Sequence, residues 1–249
     1  MGDPAQGDKD TLRTYRGKRR FDRTREPQGR RPEPDERTMP PDEHPRFVVQ
    51  IHDARTMHFD FRLEVDGVLK SWSVPKGPSA DPHDKRLAVP TEDHPLEYRA
   101  FEGVIPAGEY GGGTVIVWDH GTYRPMSHDS RKRPVPFAAS LERGHATFWL
   151  DGEKLHGGYA LTRFREADSD DDGNGGGSGG GGRGKAAWLL VKTADGRARE
   201  GGHGTPDPRR ARSVRSGRTL RQVAEHPEAT WHSDRQATGD PGTGRGEPG

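Results

Sequence analysis

Apolar and polar residues alternate in short runs along this chain, and few stretches carry a helical stripe. In Phe47-Val48-Val49-Gln50-Ile51-His52, an extended backbone puts Phe47, Val49 and Ile51 on one face and Val48, Gln50 and His52 on the other. In His58 to Val65, Phe59, Phe61 and Leu63 oppose His58, Asp60 and Arg62. Asp66-Gly67 is a tight-hairpin signal, so Val68 to Val74 reads as the returning strand, ended by Pro75. Thr114 to Trp118 follows three glycines as a further strand. Ala146 to Leu150 and Lys154 to Phe164 flank Asp151-Gly152 as a second hairpin, and Trp188 to Lys192 is the last strand. Only Thr219 to Glu225 reads as a short helix. Many short strands predict a mostly β fold, a barrel or a sandwich.

Composition limits how much of the chain this pattern organises. Only 28% of the 249 residues are hydrophobic, with 35 Gly and 21 Pro, against roughly 45–50% apolar residues, Gly included, in an ordinary globular domain. One compact domain at 44–195 is predicted, with disordered termini: a basic, Pro-rich and partly disordered arm at 1–43 and a mostly disordered tail at 196–249. The Gly/Ser run at 168–184 reads as a loop inserted in the domain, because strand-like sequence resumes after it. There is no cysteine, hence no disulfide framework and no thiolate metal site. No apolar run approaches the roughly 20 residues that span a bilayer, and Met1 to Asp10 lacks a signal-peptide core. No membrane association is expected, and a cytoplasmic, nucleoid-associated location is.

The net charge of +1 is uninformative, but its distribution is not. Arg13 to Arg31 and Arg197 to Arg221 are Arg-rich, whereas Asp168 to Asp172 is acidic. Basic blocks of this kind track phosphate backbones or solubilise a tail.

Candidate chemistry follows from the alternation. If a hairpin joins the first two strands, Gln50, His52, His58, Asp60 and Arg62 converge on one polar patch over an apolar face. Two imidazoles and a carboxylate suit a first-row divalent metal, and the adjacent guanidinium suits a phosphate. His58-x-Asp60 with His94 also imitates the facial triad of iron oxygenases, so an iron- or zinc-dependent enzyme acting on small molecules is an alternative. A non-catalytic DNA-end-binding module is another. Downstream, Lys76, Arg86, Glu92 and His94 supply further groups that can surround an anion.

These residues closely resemble the 3′-phosphoesterase domain of bacterial DNA ligase D, an enzyme of non-homologous end joining. The resemblance runs from about Leu12 to about Asp195. It is dense through FVVQIHDARTMHFDFRLEVDGVLKSWSVPKGPS and KRLAVPTEDHPLEYRAFEGVIPAGEYGGGTVIVWDHGTY, with WLLVKTAD later. It implies a small closed β-barrel with a polar metal and phosphate cavity. It implies removal of 3′-terminal ribonucleosides and 3′-phosphates from DNA ends, leaving 3′-hydroxyls, with manganese as cofactor. By position, His52, His58 and Asp60 match the metal ligands. Arg62 and His94 match groups that engage the phosphate, and Lys76, Arg86, Gln50, Glu92 and Tyr98 match supporting positions. In the arm, Arg19 and Glu26 keep the family's pattern, while the family commonly has an acid where this chain has Arg20. Glu64-Val65-Asp66-Gly67 and Trp149-Leu150-Asp151-Gly152 both lack the nucleophilic lysine of a Lys-x-Asp-Gly motif, so no ligase activity is expected. The implied partners are DNA 3′ ends, with separately encoded ligase, polymerase and Ku-type end-binding proteins around an end-processing module.

Overall fold

A computed structural model describes residues 10–29, 44–165, 186–201, 205 and 207–227. The predicted loop at 168–184 lies outside these residues, as do the two ends of the arm and the end of the tail.

Nine strands are described: β1 (Arg46–Asp53), β2 (Met57–Val65), β3 (Val68–Val74), β4 (Lys85–Pro90), β5 (Gly103–Ile105), β6 (Gly113–Pro125), β7 (His145–Gly152), β8 (His156–Arg165) and β9 (Ala187–Lys192). The short helices are α1 (Arg13–Gly17), α2 (Phe137–Glu142), α3 (Leu220–Glu225) and a 3-10 turn over Leu96–Ala100. The sheet runs β1-β2-β3-β4-β9-β8-β7-β6, and a β1–β6 pairing closes it into an eight-stranded antiparallel barrel, with β5 added on β6. Closure removes the free edges that a sandwich would leave.

The β2–β3 hairpin forms as its turn signal requires. Asp66 and Gly67 have φ of 50° and 79°, the doubly positive pair of a type I′ turn. The predicted turn at Asp151-Gly152 does not form; both residues lie in β7 and the reversal falls at 153–155. β4, β5, α1, α2 and the 3-10 turn are unpredicted, and β6 is longer than predicted. β4 went unread because only Ala88 of its six residues is fully buried. β6 extends to Pro125 through a polar run, because buried Asp119 accepts N–H groups from Glu153, Lys154 and Leu155 and ties the strand to the β7–β8 turn.

One face of the wall fills the barrel. Phe47, Phe59, Phe61, Leu63, Trp72, Trp118, Phe148, Tyr159 and Trp188 share a single apolar core. Phe61 lies 6.0 Å from Phe148 of β7, so β2 and β7 meet across the interior. The opposite face of β1, β3 and β6 carries a second cluster, including Val48, Leu69, Val115 and Val117. Tyr15 of the arm, Tyr98 and Phe101 cover it, with Phe21 and Val214 packed alongside.

Within the arm and the tail, residues 10–29 and 207–227 are packed segments. Leu12 and Tyr15 are buried in the first segment, and Ala211, Leu220 and Val223 in the second. Sparse apolar residues suffice here because each segment packs on an existing wall instead of building its own core. Thr219 caps α3 through a capping box with Gln222.

Candidate active site

The outward face of the β1–β2 hairpin assembles the candidate ligands by register alone. His52 pairs with His58 and Gln50 with Asp60 across the ladder. Directly opposed residues have Cβ atoms about 5 Å apart. The ligand atoms of His52, His58 and Asp60 all lie within 4.8 Å of one another. Nδ1 of His52 is 3.8 Å from Asp60 Oδ2, and Nε2 of His58 is 3.4 Å from Asp60 Oδ1.

Backbone carbonyls fix which ring nitrogens face inward. His52 Nε2 donates to Gly111 O at 2.8 Å, and His58 Nδ1 to Thr56 O at 2.8 Å. Each ring thereby turns its other, lone-pair nitrogen toward Asp60, the arrangement of outer partners around metal-binding imidazoles. The glycine run that delivers Gly111 is sterically required. A Cβ on Gly113 would stand 2.3 Å from Asp53 O. This donor set, with its tautomers fixed and its lone pairs convergent, fits a divalent metal.

Arg62 sits behind the ligands, 2% exposed. Nε donates to Gln50 Oε1 at 2.9 Å, Nη1 to Ser71 Oγ at 2.9 Å and Nη2 to Asp60 Oδ2 at 2.8 Å. Gln50 is itself fixed, donating to Tyr98 O and Phe101 O. Arg62 is thus largely spent on protein acceptors, and Asp60 keeps Oδ1 for the cluster. Burial alone would raise the Asp60 carboxyl; the Arg62 guanidinium, His58 and His52 outweigh it and hold the group well below the usual carboxylate range. Burial pushes His52 down, whereas the Asp60 carboxylate overcomes burial and pushes His58 up.

His94 is 3% exposed and stands between two guanidinia. Arg62 Nη1 is 3.0 Å from Nδ1, and Arg19 Nη2 is 3.2 Å from Nε2. Burial first, then Arg62 and Arg19, drive its pKa well below the ordinary value, so the ring is neutral at neutral pH. With Nδ1–H donating to Glu92 O at 2.8 Å, Nε2 is the acceptor. The ring of Tyr98 stands edge-on to His94 at 4.7 Å and under Arg62 at 4.9 Å.

The arm roofs this face. Arg19 bonds Glu26 at 2.8 Å and Glu92 at 3.0 Å, and lies over the Tyr15 ring at 3.9 Å. Tyr98 Oη donates to Glu26 at 3.1 Å. Arg20 makes a two-pronged pair with Glu109 at 2.8 and 3.0 Å. Glu109 lies in the loop that presents Gly111 to His52.

Ten sequence-predicted residues therefore meet in one network: Gln50, His52, His58, Asp60, Arg62, Glu92, His94, Tyr98, Arg19 and Glu26. Two do not join it. Lys76 is exposed in the turn after β3, with no hydrogen-bond or ion-pair partner among the described residues. Arg86 pairs with Asp84 at 2.7 Å. Its strand partner Leu190, and Ala88 two residues on, both face the barrel interior, so strand parity turns Arg86 away from the cluster's face. Sequence reasoning missed Ser71 and Tyr15, and also Lys18 and Tyr110, which donate to Glu92 at 3.1 and 3.4 Å. Ser71 was recoverable, because a two-residue turn at Asp66-Gly67 forces Arg62 opposite it. The others sit on segments with no periodicity to read.

Comparison with known proteins agrees with this geometry. Residues 50–163 match the family model described as the DNA ligase D 3′-phosphoesterase domain. The chain is 44% identical over 226 residues, 91% of its length, to a multifunctional non-homologous end joining protein LigD of Pseudomonas aeruginosa. It is 50% identical over 117 residues, 47% of its length, to a multifunctional non-homologous end joining DNA repair protein LigD of Mycobacterium tuberculosis. A Mycolicibacterium smegmatis protein of the former name is 43% identical over 156 residues, 61% of this chain. The chain spans only 23%, 14% and 19% of those relatives. The wall of β1 to β3, its ligand cluster and the stretch that matches the family model coincide, and the chain carries a 3′-phosphoesterase domain of the DNA ligase D family.

Proposed function

We propose that this protein is a metal-dependent phosphoric ester hydrolase acting on DNA 3′ ends. It removes terminal 3′-phosphates and ribonucleosides to leave 3′-hydroxyls for non-homologous end joining. The observation that carries the reading is the His52–His58–Asp60 cluster, with ligand atoms within 4.8 Å, set against buried Arg62 and His94. A non-catalytic end-binding module would have no use for imidazoles with carbonyl-fixed tautomers.

His52 Nδ1, His58 Nε2 and Asp60 Oδ1 would hold the divalent cation, and manganese is the metal we assign from the family. When bound, it supplies a Lewis acid for a phosphoryl oxygen and lowers the pKa of water. The chain's own groups do the rest. Arg62 orients Asp60 through Oδ2 and adds positive charge beside the reacting phosphate. Burial beside two guanidinia disfavours the protonated form of His94, so it is not poised for general-acid work; with Nδ1–H on Glu92 O, its Nε2 accepts from Arg19 and positions that guanidinium beside the site. Lys76, exposed and without a partner among the described residues, is available to an incoming anion. Water adds to phosphorus and the bond to the 3′ oxygen breaks, giving a DNA 3′-hydroxyl and inorganic phosphate. Ligase, polymerase and Ku-type proteins would consume the repaired end.

The test is a DNA primer–template ending in a 3′-phosphate or in one ribonucleotide, incubated with and without manganese. Conversion to a ligatable 3′-hydroxyl only with metal is expected. Recovery of unchanged ends with every divalent cation tried would overturn the assignment.

A further inference from the structure

The two basic segments differ in what their cations already touch. In the arm, most are neutralised: Arg16 pairs with Asp10 at 3.2 Å, Lys18 with Glu92 at 3.1 Å, Arg19 with Glu26 at 2.8 Å and Arg20 with Glu109 at 2.8 Å. Arg23 reaches Glu109 at 3.7 Å. Between residues 207 and 227 there are six arginines against two acids, Asp207 and Glu225. Arg210 and Arg221 approach these acids at 3.8 Å. Arg212 and Arg218 donate only to backbone carbonyls. Arg209 and Arg215 are exposed and have no side-chain partner among the described residues. Uncompensated charge, not total charge, sets the external field.

This segment is fastened beside the site. Gln50 donates to Phe101 O at 2.9 Å, and the next residue, buried Glu102, accepts from the Ser216 hydroxyl. Val214 N donates to Val117 O at 2.9 Å, and Val117 is the strand partner of Gln50. A compact turn follows, in which Ser213 Oγ caps the N–H groups of Arg215 and Ser216. Arg23 and Arg25 of the arm share the lining of one cavity, about 320 Å³, with Glu102 and Pro227, so both basic segments border the same ground.

We infer that residues 207–227 form a docking surface for the phosphate backbone of the DNA duplex whose 3′ end enters the His52–His58–Asp60 site. The inference rests on the phosphoesterase reading for the identity of the polyanion. Guanidinia without carboxylate partners, spread over a folded segment next to the site's own wall, suit the repeated charge of a duplex backbone rather than one small phosphate. Arg209 and Arg215 contribute phosphate contacts whose removal costs no internal bond.

The experiment measures binding of the full chain to a fluorescein-labelled duplex with a recessed 3′ end, by anisotropy, across a salt series. The double variant Arg209→Glu, Arg215→Glu is compared with Arg209→Lys, Arg215→Lys. Each lost phosphate contact lowers the salt slope by about 0.9, so the glutamate variant should lose about two and bind roughly tenfold or more weakly. The lysine variant should bind like the wild type. Hydrolysis of a short 3′-phosphorylated oligonucleotide should be unchanged in both. Unaltered duplex affinity and salt slope in the glutamate variant would overturn the inference. So would an equal loss on the short oligonucleotide, which would place the effect in the site. Because binding needs no turnover, failure of the wild type to hydrolyse either DNA would remove the phosphoesterase reading while leaving the surface measurable.

Discussion

Asp60 and Phe61 are neighbours on β2 that serve opposite sides of one wall. Phe61 is fully buried among Phe47, Phe148 and the rest of the interior. Asp60 is almost as buried, yet every contact it makes is charged or polar: Arg62 at 2.8 Å, His58 at 3.4 Å and His52 at 3.8 Å. The interior face releases apolar surface from water and stabilises the fold. The outer face buries a carboxylate and a guanidinium, an arrangement that adds little net stability because desolvation offsets attraction. The difference teaches that one strand can divide its labour by parity, folding with odd residues and working with even ones.

That division is open to direct attack, and the largest effect is expected on the working face. Asp60→Ala removes a ligand and orphans Arg62; turnover should fall by roughly 10³-fold or more, about 4 kcal/mol of barrier. Metal content and rate, measured on the same folded preparations, check this. Phe61→Ala should invert the pattern. Truncating a buried Phe costs about 3–5 kcal/mol, read by denaturant unfolding, while the turnover of molecules that remain folded stays within a few-fold. Undiminished turnover in folded, metal-replete Asp60→Ala, or a dead but stable Phe61→Ala, would break the comparison.

Smaller effects sharpen it at the margins. Asp195 accepts from the buried Lys192 ammonium at 2.5 Å and from Gly158 N at 2.6 Å. Burial raises its pKa, but Lys192 and the backbone N–H groups win and set it at about 2, below the ordinary carboxylate value. A depressed folded-state pKa contributes stability above the unfolded value, and that contribution disappears as pH falls from about 4 toward 2. Thermal melts across that window should decline in the wild type and be flatter in Asp195→Asn; identical pH dependence would exclude the pair as a source. The smallest effect belongs to the arm's outer latch. Arg20 is more than half exposed where it meets Glu109, so Arg20→Ala should cost only about 0.2–1 kcal/mol. A melting shift far above that, checked by calorimetry, would mean that the latch holds the whole roof.

The sequence made the ligand cluster legible because alternation and two turns determine it. A turn between Asp53 and Met57 sets His52 opposite His58, and Asp66-Gly67 sets Arg62 opposite Ser71. The closed barrel was less legible from pattern alone, since β1–β6 pairing joins residues far apart in the chain. Lys85–Pro90, two cations followed by an apolar run, and the polar half of β6 gave no alternation to read. The helix at Thr219 to Glu225 was readable, but the packing of residues 10–29 and 207–227 was not, because their few apolar side chains find their partners on the barrel, a tertiary fact that local composition does not contain. Arg86 shows the converse. Family position suggested it for the site, whereas its parity with Ala88 turns it toward the interior.

The central claim is that His52, His58 and Asp60 form the metal centre of a DNA 3′-phosphoesterase. It is tested most directly by manganese titration of 3′-phosphate release from a DNA duplex, with wild-type protein and the near-isosteric Asp60→Asn run side by side. The expected result is saturable, chelator-sensitive turnover in the wild type, and turnover lower by orders of magnitude in Asp60→Asn at every manganese concentration. Turnover that survives chelation, or an Asp60→Asn protein as active as the wild type at equal manganese, would contradict it.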